Sequence, residues 1–269
     1  MTAVSIPTPT ATDVSAPVVG VRNLRVAYGD QTVLDGVDLE LHAGETVALL
    51  GASGSGKSTL MKSLTGFAPV SGGAVTVAGH DVTALHAREL RRLRAEVGQV
   101  FQQFNLIPRL SVLTNVLAGG LHTAGPINAL GGFTSEQRKL AMHYLDRVGI
   151  AHKAKDQARS LSGGQQQRVA IARALMQQPR VVLADEPVAS LDPKLADSVL
   201  DLLRGIATDY KIPVLVSLHV LPLALRHSDR IVGLRQGKML ISAPTADLDA
   251  ETLLPLYEHQ EHGDDDDLA

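Results

Sequence analysis

The chain contains no cysteine and no tryptophan. The first absence excludes disulfides and thiolate metal sites, and fits a reducing compartment. The second, with aromatics at only 3% of residues, leaves Val, Leu, Ile and Ala to build the core. There is no uninterrupted apolar run of about 18 residues, so no segment reads as a membrane-spanning helix. The nearest approach, residues 212–225, is broken by Pro213, His219 and Pro222. Charge of one sign is also missing. A formal net charge of -3 over 269 residues creates no field that would attract a polyanion, and nucleic acid is not expected as a partner. The arginines Arg88, Arg91, Arg92 and Arg94 have no aromatics between them, which favours a solvated helix face over a nucleic-acid surface.

Glycine is plentiful, with 24 residues, and its placement is informative. Gly51-Ala52-Ser53-Gly54-Ser55-Gly56-Lys57-Ser58-Thr59 fits G-x-x-x-x-G-K-[ST]. Thr46 to Leu50 before it reads as a strand, and Lys57 to Leu64 after it as a helix. Such a turn gathers backbone N–H groups and a helix N-terminus around one anion. The glycines let the backbone approach phosphate oxygens that a Cβ would block. Lys57 is expected to reach the β- and γ-phosphates, and the Ser58 hydroxyl a Mg²⁺ ion. By itself this loop leaves ATPase and GTPase both open.

The rest of the chain alternates strands and helices. Residues 18–26 and 32–41 read as strands around a Tyr28-Gly29-Asp30 turn, and a further strand opens at Gly72-Gly73 and runs over 74–78. Residues 97–101 form a strand that ends at Gln102. The texture then becomes helix, loop, helix, with helical signal over 113–117 and a glycine-rich loop over 119–133. Thr134 and Gln137 have capping-box spacing for the next helix, and so do Ser162 and Gln165 for the one after it. Val181-Val182-Leu183-Ala184 is an apolar strand ending in Asp185-Glu186. Asp192-Pro193 carries N-cap and first-turn chemistry for a long helix to Tyr210. Residues 214–218 form a strand ending at His219, and a hairpin is expected around Gln236-Gly237, with a short helix over 250–257. Residues 1–17, rich in Thr, Pro, Ser and Ala, read as a disordered leader, and residues 259–269, holding four consecutive aspartates, as a solvated acidic tail.

Apolar strands alternating with helices imply a mostly parallel sheet covered on both faces, with the chemistry at the carboxyl ends of its strands. Gly51, Gln102, Asp185 and His219 all fall there. Asp185 ends an apolar strand, where it can hold Mg²⁺, and Glu186 is placed to accept a proton from attacking water. Two adjacent carboxylates beside an apolar core are costly without a cation.

Leu161-Ser162-Gly163-Gly164-Gln165, lying between the phosphate loop and Asp185-Glu186, is the most specific feature. With that loop, it resembles the nucleotide-binding subunit of an ATP-binding-cassette transporter over residues 18–258. The resemblance implies an α/β fold: a P-loop NTPase (RecA-like) core, an N-terminal antiparallel β subdomain, and an inserted α-helical subdomain over about 103–160. It implies ATP and Mg²⁺ as cofactors. Tyr28 resembles the aromatic that stacks on adenine. Gln102 resembles the glutamine that senses Mg²⁺ and attacking water, although Gln103 leaves the register open. Ser190-Leu191-Asp192 resembles the loop crossing a dimer interface, and Asp192 can be that and an N-cap. His219 resembles the switch histidine at the γ-phosphate, and Val220 stands where many members carry an aspartate. Ser162, Gly163, Gly164 and Gln165 would face the phosphate loop of a second copy, so that two chains hold two ATP molecules head to tail.

Partners implied by the resemblance are a second copy of the chain, transmembrane permease subunits and an extracytoplasmic solute-binding protein. The implied location is the cytoplasmic face of the cell membrane. Within the family, residues 105–119, 165–176 and 183–193 look like the ATPase subunit of phosphonate importers. Importers of phosphate-like anions or polar amino acids are the nearest alternative. A soluble ATPase acting on nucleic acid or ribosomes is further off, because the chain has one cassette and no long coiled coil.

Overall fold

Two sheets and a set of helices form three layers. In the computed structural model, which describes residues 16–123 and 132–257, the larger sheet has six strands in the order β10-β9-β3-β8-β7-β6. These are β3 (Thr46–Leu50), β6 (Val97–Val100), β7 (Val181–Asp185), β8 (Val214–Ser217), β9 (Arg230–Arg235) and β10 (Lys238–Pro244). All neighbours run parallel except β9 and β10, which form the expected hairpin. The smaller sheet is antiparallel, in the order β2-β1-β4-β5, with β1 (Val19–Tyr28), β2 (Gln31–Leu41), β4 (Val70–Val77) and β5 (His80–Asp81). The fold class read from the sequence is the one found.

Period-two alternation sends the central strands' side chains to two separate cores. Val47 and Leu49 of β3, Val181 and Leu183 of β7 and Leu215 of β8 pack with the antiparallel sheet and with Leu60 and Leu64 of α1 (Lys57–Ser63 and its cap). Ala48 and Leu50, Val182 and Ala184, and Val214 and Val216 face the other way. There they meet α3 (Val112–Gly119), α4 (Ser135–Arg147), α5 (Gly163–Leu175) and α6 (Pro193–Tyr210). Each buried Leu, Ile or Val stabilises the fold by about 1.5–3 kcal/mol relative to exposure. An aliphatic sheet thus serves two cores at once, which is why few aromatics suffice. Shorter helices complete the order: α2 (Ala87–Ala95), α7 (Leu221–His227) and α8 (Ala250–Leu253).

The capping boxes at Thr134/Gln137 and Ser162/Gln165 are both formed, and Asp192 caps α6 by accepting from the Leu195 N–H at 3.0 Å. Several boundaries differ from the sequence reading: β1 runs on through Tyr28, and the helix expected over 250–257 is α-helical only over Ala250–Leu253. β4 begins at Val70, before Gly72-Gly73, because β1 and β4 continue to pair across a register break between Arg22 and Arg25. β6 stops at Val100, since its pairing with β7 ends at Ala184; Phe101, Gln102 and Gln103 lie past the strand and are exposed. The expected leader up to residue 15, residues 124–131 of the glycine-rich stretch and the acidic tail lie outside the described residues.

Helices α3 and α4 pack on α5, and the loop that follows Gln102 is tied to them by two side chains. Asn115, 1% exposed, accepts from the Ile107 N–H at 2.7 Å and donates to the carbonyls of Ile107 (3.1 Å) and Ser111 (3.0 Å). Arg173 on α5 donates to the carbonyls of Asn105 (2.5 Å) and Phe104 (3.0 Å), and burial lowers its pKa. The backbone joins the same loop to the stretch before Ser162: Ala158 donates to Leu110 and Arg159 to Pro108, both at 3.0 Å.

Candidate nucleotide site

The loop after β3 is shaped by close backbone approach. A Cβ on Gly51 would fall 2.2 Å from the Leu234 carbonyl oxygen, and one on Gly56 would fall 2.6 Å from Leu34 Cδ2, both at positive φ. Only glycine fits either position. Lys57, 6% exposed, folds back and donates to the carbonyls of Gly51 (2.7 Å) and Ala52 (3.0 Å). Burial lowers its pKa, while the charges of Glu186 and Asp185 act in the opposite direction. Its ammonium therefore sits between loop carbonyls and acidic groups, a position from which it can turn to an anion. Ser55 is buried, and its hydroxyl has no partner among the described residues. Ser53, Gly54 and Ser58 are exposed, and Thr59 is half-buried in α1.

Ser58 and Asp185 line one cavity of about 610 Å³, with Tyr28, Phe67, Gln99 and Phe101 also on its wall. This puts the hydroxyl and carboxylate expected to hold Mg²⁺ on a common surface, with hard oxygen donors suited to that ion. Tyr28, 45% exposed, offers an aromatic face on the same cavity. Gln99, rather than Gln102, shares the wall with Ser58 and Asp185. Phe67 carries the Arg94 guanidinium 3.6 Å from its ring centroid, and Arg94 also donates to the carbonyls of Thr65 and Gly66 that close α1.

At the ends of β7 and β8, one residue that sequence reasoning passed over organises the acidic pair. Ser217, fully buried, stands opposite Asp185 in the parallel register. Its hydroxyl donates to Asp185 Oδ1 at 2.7 Å and accepts from the Glu186 N–H at 2.8 Å. Glu186 has φ +47, a left-handed conformation that costs a non-glycine residue about 1 kcal/mol, and the Ser217 bond helps hold it there. The turn presents the Glu186 carboxylate to His219, whose Nε2 lies 2.5 Å from Oε1. The signal for Ser217 was a single hydroxyl at the end of an otherwise apolar run; for Asn115 and Arg173 it was a polar residue inside an apolar helical stretch.

Ser162 stands apart from this group. It is exposed at the N-terminus of α5, where its hydroxyl accepts from the Gln165 N–H at 3.4 Å and Gln165 Oε1 accepts from its N–H at 3.1 Å. Gly164 is buried close to Leu195, and Gly163 is partly exposed. Ser190 and Asp192 are exposed too. No hydrogen bond or ion pair among the described residues joins Ser162 to the phosphate loop, Asp185, Glu186 or His219.

Comparison with known proteins agrees with this arrangement. Residues 34–189 match the model of a family described as ABC transporter. A phosphonates import ATP-binding protein PhnC from Nocardia farcinica is 47% identical over 235 residues, covering 87% of this chain and 88% of the relative. A phosphate-import ATP-binding protein PhnC from Mycolicibacterium smegmatis is 46% identical, covering 91% and 93%. The hypophosphite import ATP-binding protein HtxD from Stutzerimonas stutzeri is 44% identical, covering 88% and 70%. Among solved structures, cbiO1 from Clostridium perfringens, part of the ABC transporter complex cbiONQ, superposes with TM-score 0.79 at 27% identity, covering 89% of this chain and 93% of that one. The ATP-binding cassette MJ0796, in a dimeric post-hydrolysis state bound to ADP and Pi, superposes with TM-score 0.73 at 34% identity, covering 84% and 98%. A glycine-lined phosphate loop, an acidic pair held beside a histidine and a family match running through both place this chain in the ABC transporter family, as an ATP-hydrolysing subunit of an import system.

Proposed function

We propose that two copies of this chain close head to tail on two ATP molecules and power uptake of a phosphorus oxyanion, with phosphonate the leading cargo. One observation carries the shared site: the phosphate loop and the Asp185–Glu186–His219 group meet at one end of the sheet, while Ser162 and Gly163 stay accessible at another helix N-terminus. A pocket divided in this way is completed by a second copy. The names of the relatives carry the cargo class, since phosphonate, phosphate and hypophosphite are all phosphorus oxyanions.

In this reading the backbone N–H groups of residues 51–59 and the Lys57 ammonium hold the β- and γ-phosphates. Ser58 and Asp185, with Gln102 brought in on closure, hold Mg²⁺, which neutralises phosphate charge. Glu186 takes a proton from the attacking water, and His219 orients Glu186 and meets the γ-phosphate. Tyr28 stacks on adenine. Ser162, Gly163, Gly164 and Gln165 of the second copy cover the γ-phosphate, and Asp192 lies at the junction. Binding ATP favours the closed pair, and hydrolysis removes that preference.

The exposed apolar side chains Phe101, Ile107 and Leu110 flank the loop after Gln102 and offer a docking face for a permease at the cytoplasmic side of the membrane. In this reading the permease and an extracytoplasmic solute-binding protein are separate chains; among the described residues no helix is long and apolar enough to cross a membrane. The deciding experiment isolates the chain from native membranes, identifies the proteins that accompany it, and measures which solute their extracytoplasmic member binds. Methylphosphonate or phosphate bound at micromolar concentration is expected. A binding protein selective for an amino acid would overturn the cargo class.

A further inference from the structure

The last residue of α7, His227, is 5% exposed and lies between two carboxylates of α6. Its Nε2 is 2.7 Å from Asp197 Oδ1, and its Nδ1 is 3.1 Å from Asp201 Oδ1. Residues four apart share one helix face, so α6 presents both carboxylates to one ring. Carboxylates only accept, so both contacts are satisfied when both ring nitrogens carry hydrogen. Arg226 adds a contact of 2.6 Å to the same Asp197 Oδ1. Hydrogen bonding from His227, aided by the Arg226 charge, holds the Asp197 carboxyl below its usual pKa. Past the helix, Asp229 pairs with Arg204 of α6 at 3.2 Å and accepts from the Thr46 N–H of β3 at 2.9 Å. The end of α7 is therefore fastened by charge to α6.

The start of α7 is backed differently. A cavity of about 520 Å³ is lined by Glu186, Val188, Leu191, His219, Val220 and Leu223, and it extends to Asp197 and Arg226. A helix of seven residues is about 10 Å long, so α7 spans from His219, just before it, to the charged cluster. Leu218, Leu223 and Ala224 are buried, while His219, Val220 and Pro222 border the cavity. β8 fixes the chain as far as Leu218, whose N–H donates to the Leu49 carbonyl at 3.1 Å, and on the cavity side the position of His219 depends on α7 as well.

We propose that Asp197, Asp201 and His227 form a positioning clamp for the switch histidine: by locking α7 onto α6 they hold His219 at hydrogen-bond distance from Glu186. The three residues make no hydrogen bond to Glu186 or His219 among the described residues, and they act through the placement of α7. The proposal rests on the assignment of Glu186 and His219 to hydrolysis, and the test separates the two.

ATP turnover by the full chain is measured for His219→Ala, His227→Phe, His227→Gln and Asp201→Asn, with the melting temperature of each. His219→Ala is expected to abolish turnover; if it does not, the site assignment fails, whatever the clamp does. His227→Phe keeps ring bulk but no donor, and kcat is expected to fall about tenfold while KM for ATP stays within about twofold, because a displaced catalytic group costs rate rather than binding. His227→Gln, which retains one donor, is expected to recover part of that loss. Asp201, whose side chain is 71% exposed, carries the test even if the buried variants do not fold, and Asp201→Asn is expected to lower kcat about threefold with an unchanged melting temperature. Inactive His219→Ala together with wild-type kcat in Asp201→Asn and in folded His227→Phe would overturn the clamp. So would a rate loss in those variants matched by an equal rise in KM.

Discussion

The phosphate loop and the Ser162 loop are both glycine-containing helix N-termini, yet they stand in opposite conditions. The first is closed on itself: Lys57 is buried and bonded to Gly51 and Ala52, Ser55 is buried, and the charges of Asp185 and Glu186 at the end of β7 act on Lys57. The second is satisfied only by its own capping box and faces outward. The difference teaches that one chain prepares two surfaces of unequal completeness. In the proposed reading the inner surface binds phosphate with groups of its own chain. The outer one is bonded within its own capping box and is exposed to a second copy.

The strongest way to break this comparison is to disable each surface separately and then combine the damaged chains. Lys57→Ala removes the buried cation and is expected to lower ATP turnover by about two to three orders of magnitude, the usual cost of losing a preorganised charge stabiliser. Ser162→Arg is expected to leave ATP binding intact, as measured by fluorescent-nucleotide titration, and to abolish turnover by filling the opposing pocket. Mixed together, the two variants form heterodimers in which the sound phosphate loop of one meets the sound Ser162 loop of the other. Turnover is expected to reappear on mixing. A mixture as dead as its components would mean that both loops serve the same chain's site.

Glu186→Gln tests the inner surface with less disruption, since the amide keeps a hydrogen-bonding group beside His219 but cannot take a proton. ATP is expected to remain bound and the closed pair to accumulate as a dimer in size-exclusion chromatography. A monomer with ATP bound would show that binding does not recruit the outer surface. Next in size is Ser217→Ala. It leaves the Glu186 N–H without its acceptor and frees Asp185, a loss of about 1–3 kcal/mol. Turnover is expected to fall about tenfold. A wild-type rate would show that the left-handed turn at Glu186 holds without the serine.

Sequence alone revealed what is local and periodic. Residues 51–59 and 161–165 carry their geometry in consecutive letters, because a turn and a helix cap are built from neighbours. The two faces of β3, β7 and β8 follow from apolar composition and alternation. What stayed hidden depends on pairing between distant segments. Ser217 matters because the parallel register sets it opposite Asp185, 32 residues away in sequence. Arg173 matters because α5 carries it 68 residues on to the Asn105 carbonyl. The end of β6 is hidden for the same reason: Phe101 is apolar enough to extend the strand, but the pairing of β6 with β7 ends at Val100.

The loop after Gln102 is joined to the outer surface, and the smallest predicted effect probes that joint. The loop after Gln102 is bonded through Pro108 and Leu110 to residues 158–159, directly before Ser162, and Asn115 holds it from within. Movement at Gln102 can therefore reach the outer surface through a short hydrogen-bonded path rather than across the core. Asn115→Leu keeps the volume and removes the amide, stranding the Ile107 N–H and the carbonyls it served. A destabilisation of about 1–3 kcal/mol is expected, seen as a drop in melting temperature of about 2–4 °C per kcal/mol. Because neither nucleotide surface is touched, ATP affinity is expected to stay unchanged while the acceleration of turnover by the permease falls. If Asn115→Leu lowers the melting temperature but leaves permease stimulation whole, the loop is a structural brace only, and the two surfaces communicate by another route.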